Sequence, residues 1–462
     1  MLKSGVLAGM LAIFCGLPSI AALPQQEGLA ERLHRLEAET QALRDELQWM
    51  RENPVRLPSV NATPVGYTQA SYAPAETDYF TFGQLKEEMK KLAWTKGDTQ
   101  IIPYGYLWGN AVYETERSVV GPYTLFVESA TRQGEDAFYA DGRNSRLGFD
   151  VLGPKVPFFG CARSGGKIEF DFQGDINGTE NKGGVLLRHA YAEVKDERFR
   201  LLIGQTWDVV SPLYPGTLMY SVGWGGGNIG YRRGQLRLER FLDVSDTTLL
   251  TLQGSLNQNV FLDRSLTRRA EASGWPLLEA RAAITQGYRG KGGLPITLGF
   301  SGHVGEQGLD QLDVGGVVLV DDVRRKTWSF NVDLRAPITE RLGFQGEFFT
   351  GANLGTFLGG VIQGINPVTL EPIRSSGGWF ELWYDWTPKL HSHFGYAVDD
   401  PNDNDIAAGG RTYNHFYYAN LSYDLTKKFL MGVEVSSWKT LYAGGLAPGE
   451  SIRTEVMARY AF

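Results

Sequence analysis

The chain has 462 residues, enough for one large domain or for two to three of ordinary size. Aromatic residues make up 12% of it, charged residues 21%, and the mean hydropathy of −0.23 is not that of a helical membrane protein. The net charge of −7 gives no electrostatic reason to expect a nucleic-acid partner.

The N-terminus has the pattern of a secretory signal peptide. Lys3 precedes an apolar run over residues 5–17, and the small residues of "SIAA" predict cleavage after Ala22, which assigns residues 1–22 to the signal. The run is too short for a membrane anchor, and bulky residues before Cys15 disfavour a lipoprotein. Cys161 then remains as the one cysteine of the exported chain, so we expect no internal disulfide and assign it to a turn.

Residues 23–52 carry a heptad repeat. Its a and d positions are Leu29, Leu33, Leu36, Thr40, Leu43, Leu47 and Met50. Opposite charges occupy each g position and the e position five residues later, in the pairs Arg32 with Glu37, Glu39 with Arg44, and Glu46 with Arg51. These pairs predict an α-helical, parallel coiled coil of two or three strands, the alternative being a single amphipathic helix packed on the body.

A linker and a short helix follow. Residues 53–80 are rich in Pro, Ser, Thr and Ala without periodicity, which is typical of a linker. Residues 81–97 place Leu85, Met89 and Leu92 on one helical face, so we predict a short helix there.

From residue 98 to residue 462 the hydrophobic period is two. In "KTWSFNVDLRA", for example, Trp328 and Phe330 alternate with Ser329 and Asn331. The alternation predicts sixteen strands, at 101–114, 142–153, 165–175, 184–195, 199–208, 234–242, 246–257, 276–289, 295–303, 326–337, 341–351, 377–387, 390–398, 413–424, 428–438 and 452–462. Long loops follow the odd strands and mostly short turns follow the even ones, which predicts an all-β, antiparallel transmembrane β-barrel rather than a soluble sandwich.

Aromatic residues near the strand ends support a membrane setting. Tyr384, Trp386, Tyr417, Tyr423 and Tyr460 suit the girdles that lie at membrane interfaces. The chain stops on Phe462 at the end of an alternating strand, which resembles the signal that the outer-membrane assembly machinery reads.

Several stretches carry a family resemblance. "NSRLGFDV", "GGKIEFDFQGD", "LLRHAYAEV" and "LLIGQTWDVVSPLYPG", within residues 144–216, resemble the trimeric outer-membrane porins of the DcaP-like type, and "MYSVGWGGGNIGYRR" resembles porins of planctomycete-type bacteria. The resemblance implies a homotrimer in the cell outer membrane, surrounded by its lipids, with the coiled coil in the periplasm. It also implies passive diffusion of small hydrophilic solutes and ions, including anionic ones such as dicarboxylates. Acidic loops such as "DDPNDNDIA" depart from an anion preference.

The stretch "YSVGWGGGNIGYRRG" contains Gly225-x-Gly227-x-x-Gly230, the spelling of a dinucleotide-binding turn. Prolines break the segment before it and an alternating strand follows it, so the strand–turn–helix context that such a site needs is absent. The stretch falls in the third long loop, which folds into the barrel in sixteen-stranded porins, the alternative being an ordinary surface loop. The predicted constriction residues are Tyr214, Tyr220, Trp224, Asn228, Tyr231, Arg232 and Arg233.

Strand parity also selects the residues that face the lumen. The predicted pore wall consists of Arg146, Lys167, Glu169, Asp171, Arg188, Arg237, Glu239, Arg281, Asp333, Arg335, Glu347, Glu381 and Arg453. His391 and His393 supply too few ligands for a metal, and no catalytic motif is present, so we expect neither a metal, a cofactor nor an enzyme. The alternative function is a structural barrel whose coil tethers the outer membrane to the cell wall.

Overall fold

The computed structural model describes residues 94–174, 183–260, 268–271, 273–288, 293–313 and 317–462. The predicted signal peptide, coiled coil, linker and most of the short helix lie outside these residues. The described part forms a closed, antiparallel barrel of sixteen strands. These are β1 (Thr99–Glu114), β2 (Arg146–Val156), β3 (Ala162–Asp171), β4 (Leu186–Lys195), β5 (Phe199–Trp207), β6 (Arg232–Ser245), β7 (Thr248–Asn257), β8 (Leu277–Gln286), β9 (Ile296–Leu312), β10 (Val318–Pro337), β11 (Leu342–Ala352), β12 (Arg374–Thr387), β13 (Leu390–Pro401), β14 (Arg411–Asp424), β15 (Phe429–Tyr442) and β16 (Gly449–Ala461).

Closure joins the first strand to the last. β1 pairs with β16 from Tyr106 opposite Ala461 to Glu114 opposite Arg453. On its other side, β1 pairs with β2 and then with a short strand, Ala137–Asp141. Closing the sheet leaves no strand edge exposed, which is the condition for a sheet to cross a bilayer.

The described chain also contains several short elements that lie outside the sixteen barrel strands. They are the strands Trp94–Lys96, Ser118–Val120, Thr124–Val127 and Arg268–Glu271, the α-helix Ala130–Gln133, and the 3-10 turns Pro157–Phe159, Gly355–Phe357 and Asp403–Asp405. No helix among the described residues is long and apolar enough to cross a membrane.

The alternating sequence produces two different faces. On β10, Phe330 is 47% exposed while its neighbour Asn331 is 1% exposed. On β15, Val433 is 41% exposed and Glu434 is 2% exposed. The apolar residues therefore point outward and the polar residues point into the barrel, which is the reverse of a soluble protein.

The sixteen predicted strands are confirmed, with one pair much longer than predicted. We predicted that residues 304–325 form a polar loop, but β9 continues to Leu312 and β10 begins at Val318, with Gly308 opposite Arg324. The pairing continues because a hairpin needs only cross-strand partners, and the extension also packs Leu309 and Val323 against Ile365 and Leu370 in a buried cluster.

The prediction of a helix is wrong for residues 94–96. Trp94–Lys96 is a strand that folds back on Thr99–Ile101 of β1, and the turn places Gly97 at a φ of +57°. The Trp94 ring contacts Phe149 at 5.9 Å between centroids, a contact that an extended segment provides and the helical periodicity did not indicate.

Much of the apolar core lies inside the barrel. Val127, Met219, Trp379, Ala397, Phe416, Tyr418 and Trp438 form a buried cluster between inward-folded loops and strands β12–β15. Phe416 and Trp438 stack with centroids 3.9 Å apart and planes 7° apart. The lumen on this side is therefore filled with packed side chains.

Candidate constriction site

The third loop, residues 208–231, leaves β5 and returns to β6 through a closed base. Asp208 and Tyr231 pair through both backbone and side chain: the Asp208 amide donates to the Tyr231 carbonyl at 2.9 Å, and the Tyr231 amide donates to Asp208 Oδ2 at 2.8 Å. Arg233 donates to both oxygens of Asp208, at 2.6 and 3.0 Å. This bidentate pair fixes the direction in which the loop leaves the wall.

Four inward glutamates then hold the loop against the opposite wall. We call Glu279, Glu347, Glu381 and Glu434 the anchoring glutamates; they lie on β8, β11, β12 and β15. Their carboxylates accept backbone N–H groups of Val209 at 2.9 Å, Leu213 at 2.7 Å, Gly216 at 2.6 Å and Leu218 at 2.8 Å. Because a buried N–H needs an acceptor, these bonds let an irregular segment lie inside the barrel.

The tip of the loop reaches the side of the barrel that lies near β3 and β4. Tyr220 donates through its hydroxyl to Asp171 Oδ2 at 3.0 Å, and Arg188 donates to the Tyr220 oxygen at 3.3 Å. A tyrosine phenol is protonated at neutral pH, and burial raises the pKa of Tyr220 further, to about 12, so its hydroxyl is a donor. The third loop is thus fixed at both ends of its path through the lumen.

Two further loops support the third. The first loop, residues 115–145, accepts a hydrogen bond from Ser221 on its Thr124 carbonyl at 2.8 Å. The sixth loop, residues 353–373, accepts bonds from the amides of Gly225 and Gly230, at 2.9 and 2.8 Å. Sequence analysis predicted one inward loop, whereas the structure has three, with the third loop bonded to each of the other two.

The glycines provide close approach to the wall. A Cβ on Gly227 would lie 2.4 Å from the Gly378 carbonyl oxygen, and its φ is +133°. A Cβ on Gly226 would lie 3.0 Å from the Phe416 ring. The glycine run therefore packs backbone against strand and ring, which a side chain would prevent.

Five aromatic rings, from the third loop and the end of β5, form a cluster. Trp207 lies 5.1 Å from Tyr214 and 6.0 Å from Trp224, and Trp224 lies 5.5 Å from Tyr231 and 6.2 Å from Tyr220. Four of the five were among the predicted constriction residues, and Trp207 was missed because it ends a strand rather than lying in the loop.

Arg232 sits on this cluster. Its guanidinium carbon lies 4.5 Å from the Trp207 ring, 4.8 Å from that of Tyr231 and 5.9 Å from that of Trp224. Its Nη1 has no hydrogen-bond partner, and no described carboxylate forms an ion pair with it. The aromatic faces thus hold a cation whose charge is not neutralised by a described acid.

Arg233 is buried to the same extent, at 1% exposed against 2% for Arg232, but its charge is paired. It forms the bidentate pair with Asp208 and lies 3.8 Å from Glu279. Its side chain stacks over Phe357 at 4.0 Å. Asn228, likewise predicted, donates to the Val222 carbonyl at 2.8 Å and closes the glycine turn. These two residues hold the loop together and do not carry free charge.

The predicted wall residues fall into two groups. Glu347, Glu381 and Arg453 hold inward loops, since Arg453 donates to the Gly121 carbonyl of the first loop at 2.7 Å. The others pair along the wall, either with one another or with the neighbouring Asp150 and Gln345. These contacts are Arg146 with Glu169, Lys167 with Asp150, Arg188 with Glu169 and Asp171, Arg237 with Glu239, Arg281 with Asp333, and Arg335 with Gln345.

Sequence reasoning missed Asp208, Glu279 and Glu434 as site residues. Glu279 and Glu434 follow the inward parity of their strands, so the alternation could have found them. Their partners are backbone amides of the third loop, 70 and 216 residues away in sequence. No local sequence pattern predicts a hydrogen bond over that separation.

A closed sixteen-stranded barrel with its third loop folded inside defines the porin fold. The outer membrane channel DcaP of Acinetobacter baumannii has this fold, with a TM-score of 0.64 and 20% sequence identity over 80% of this chain and 99% of that chain. OmpF of Salmonella typhi, solved in complex with daunomycin, aligns with a TM-score of 0.52 and 12% identity over 80% of this chain and 100% of its own. No protein-family model matches the sequence, and the search of curated proteins found no match. The predicted resemblance to DcaP-like porins is confirmed for the fold.

Proposed function

We propose that the protein is an outer-membrane porin through which small hydrophilic solutes and ions diffuse passively. The observation that carries the proposal is the third loop, held inside a closed barrel by the anchoring glutamates. The loop is fixed on β8, β11, β12 and β15, and its tip reaches β3 and β4, where charged side chains face inward. We propose that a loop held in this way narrows the lumen. A polar, narrowed lumen inside an apolar outer surface is the arrangement of a diffusion pore.

The same geometry supports a preference for anions at the constriction. Arg188 shares its charge with Glu169 and Asp171, and Arg233 shares its charge with Asp208 and Glu279. Arg232 has no such partner among the described residues. Low-dielectric walls focus the field of one uncompensated charge, so Arg232 attracts anions, with small dicarboxylates among the solutes that match it.

Liposome swelling tests the channel directly. Vesicles that contain the purified full chain should swell in isotonic succinate and in isotonic glycine, faster than protein-free vesicles, with rates that fall as solute size rises. Absence of swelling in every solute would reject the channel and leave the structural tether as the better function. That alternative predicts a peptidoglycan-bound fraction that is lost when residues 23–52 are deleted.

We also propose that three copies assemble. The outer face of β16, β1 and the strand Ala137–Asp141 carries an apolar depression of about 790 Å³, lined by Gly109, Ala111, Ala140, Val456 and Ala458. Small residues at a lipid-facing surface allow close approach of a neighbouring barrel. The predicted parallel coil would add to the same assembly in the periplasm.

A further inference from the structure

The seam between the first and the last strand opens at its short-turn end. β16 pairs with β1 as far as Phe462, which exchanges two backbone hydrogen bonds with Gly105, at 3.0 and 3.3 Å. The next partner on this edge of β1 is the short strand Trp94–Lys96, which begins opposite Ile101. Between these two partners, residues 102–104 of β1 have no strand partner on this edge among the described residues.

Pro103 lies at the centre of this gap. Because the backbone of Gly105 bonds to Phe462 and successive strand residues face alternate edges, Pro103 is the residue whose backbone faces the gap. Proline has no N–H, so the open edge leaves no backbone donor without a partner. The sequence therefore suits an interrupted edge, and the chain that precedes Trp94 does not need to continue as a strand.

Apolar side chains surround the gap on the outer face of the barrel. Trp94 is 63% exposed, and its ring contacts Phe149 of β2. Phe462 is 46% exposed, and its ring lies over Gly105. A Cβ on Gly105 would lie 2.8 Å from the Phe462 ring and 3.2 Å from the Leu147 side chain. We call Trp94, Leu147, Phe149 and Phe462 the seam patch.

The Trp94 end of the seam patch lies beyond the apolar belt of the barrel. Tyr460, which was predicted for an interfacial girdle, pairs with Leu107, and Trp94 pairs with Ile101, six residues nearer the short-turn end of β1. Leu107 and Ile101 point to the same, outer face, because side chains alternate along a strand. Six strand residues span about 20 Å, which is about 15 Å along the membrane normal at the usual strand tilt. Lipid tails therefore do not cover the exposed ring of Trp94.

We infer that residues 82–93 of the same chain cover the seam patch as an amphipathic helix and close the gap between the first and the last strand. Leu92 lies two residues before Trp94, so its Cα is within about 7 Å of the patch. Leu85 and Met89 share a helical face with Leu92, and lysines and glutamates occupy most of the other positions. The segment thus brings an apolar face to an apolar surface at the point where the chain enters the barrel.

The test is disulfide cross-linking of the full-length protein in outer-membrane vesicles, with Cys161→Ser to remove the exposed native thiol. Met89→Cys combined with Phe149→Cys should oxidise to an intramolecular disulfide about tenfold faster than Glu87→Cys combined with Phe149→Cys. The reason is that a disulfide needs its two Cβ atoms within about 4.5 Å, and residue 87 lies on the opposite face of the helix from residue 89.

A second measurement keeps the seam patch intact. Met89→Cys alone should react with a membrane-impermeant maleimide about tenfold more slowly than Glu87→Cys alone. Adding Phe149→Ala should remove much of that protection, because the helix would lose the ring on which it packs.

The inference fails if residues 87 and 89 cross-link to residue 149 at equal rates. A disulfide that joins two chains would show that the patch holds the segment of a neighbouring copy. Protection of residue 89 that persists unchanged with Phe149→Ala would place the segment on the lipid surface rather than on the barrel. None of these measurements depends on conductance, so their outcome is independent of the proposed channel function.

Discussion

At the scale of single residues, two neighbouring arginines have opposite roles. Sequence analysis grouped Arg232 and Arg233 as pore charges, because their residue type and position are alike. The structure pairs Arg233 with Asp208, 25 residues earlier, and leaves Arg232 on the aromatic rings. The presence of two guanidiniums was predictable from sequence, whereas the identity of the unpaired one depends on where Asp208 and Glu279 lie in space.

Replacing Arg233 tests its structural role. Arg233→Gln leaves Asp208 and Glu279 buried without their cation, and breaking a buried pair typically costs about 3–5 kcal/mol. We expect faster protease cleavage within residues 208–231 of the folded protein and a lower midpoint of denaturant unfolding in detergent. Arg232→Gln, which breaks no ion pair with a described residue, should leave both measurements close to wild type. Equal protection in the two variants would contradict the assignment.

The glycines supply a second residue-scale prediction. Gly227→Ala places a Cβ against the Gly378 carbonyl at a φ that alanine adopts with strain, so the third loop should detach from β12. Gly234→Ala is the control, because its Cβ would meet Gln258 at an ordinary 3.4 Å. Single-channel recordings should show larger and noisier currents for Gly227→Ala alone. Identical currents in both variants would mean that close approach is not why glycine occupies position 227.

At the scale of elements, strands and loops differ in how far sequence determines them. Each strand can be predicted from the alternation of apolar and polar residues within it, so the predicted start of β12 lies within three residues of its observed start at Arg374. The loop attachments are long-range: the sixth loop contacts the third through Phe357 and Leu358, which carry no local signal for that role. Periodicity likewise could not find the added length of β9 and β10, because their outer ends do not alternate. Val318, Leu319 and Val320 form a continuous apolar run, and Leu309 and Val323 pack against Ile365 and Leu370 of the sixth loop.

The third loop as a unit can be tested by shortening it. Deleting residues 217–229 removes the segment held by Glu434 and packed on Phe416 and Trp438. Single-channel conductance should rise, because the lumen loses its narrowing element while the barrel keeps every strand pair. A deletion of equal length in the fourth loop, residues 258–276, is the control. Unchanged conductance in the 217–229 deletion would place the loop outside the conduction path.

The last strand provides a second element-scale prediction. Val456 on β16 is 48% exposed on the outer face and lies opposite Ala111 and Val433. Val456→Arg should destabilise the folded barrel in lipid by about 2–4 kcal/mol if the site lies near the midplane, while Val456→Ala should have little effect. The measurement is the free energy of unfolding in lipid vesicles, and equal values for the two variants would contradict the assignment of Val456 to the apolar outer surface of the barrel.

At the scale of the whole molecule, the sequence predicts the barrel well and predicts the packing inside its lumen poorly. An alternating apolar face encodes closure and membrane position, whereas the filling of the lumen depends on contacts such as Phe416 with Trp438 across strands. The assembly of three copies stays a prediction. One proposed contact is the coiled coil, which lies outside the described residues, and the other is the depression around Gly109 and Ala458 on the outer face of the barrel. Ala458→Trp should fill the depression and reduce the trimeric fraction in native mass measurements.

The most direct test of the account is the reversal potential of single channels in a KCl gradient, compared between wild type, Arg232→Gln and Arg374→Gln. Arg374 is an exposed arginine paired with Asp405 in the seventh loop, residues 402–410, so its loss changes the net charge equally. Charges on outer loops are screened beyond about 8 Å at physiological salt. We predict anion preference in the wild type, a shift toward cations in Arg232→Gln that grows at low salt, and no shift in Arg374→Gln. Equal reversal potentials in wild type and Arg232→Gln would contradict the central claim that the unpaired guanidinium on the third-loop aromatic cluster governs the pore.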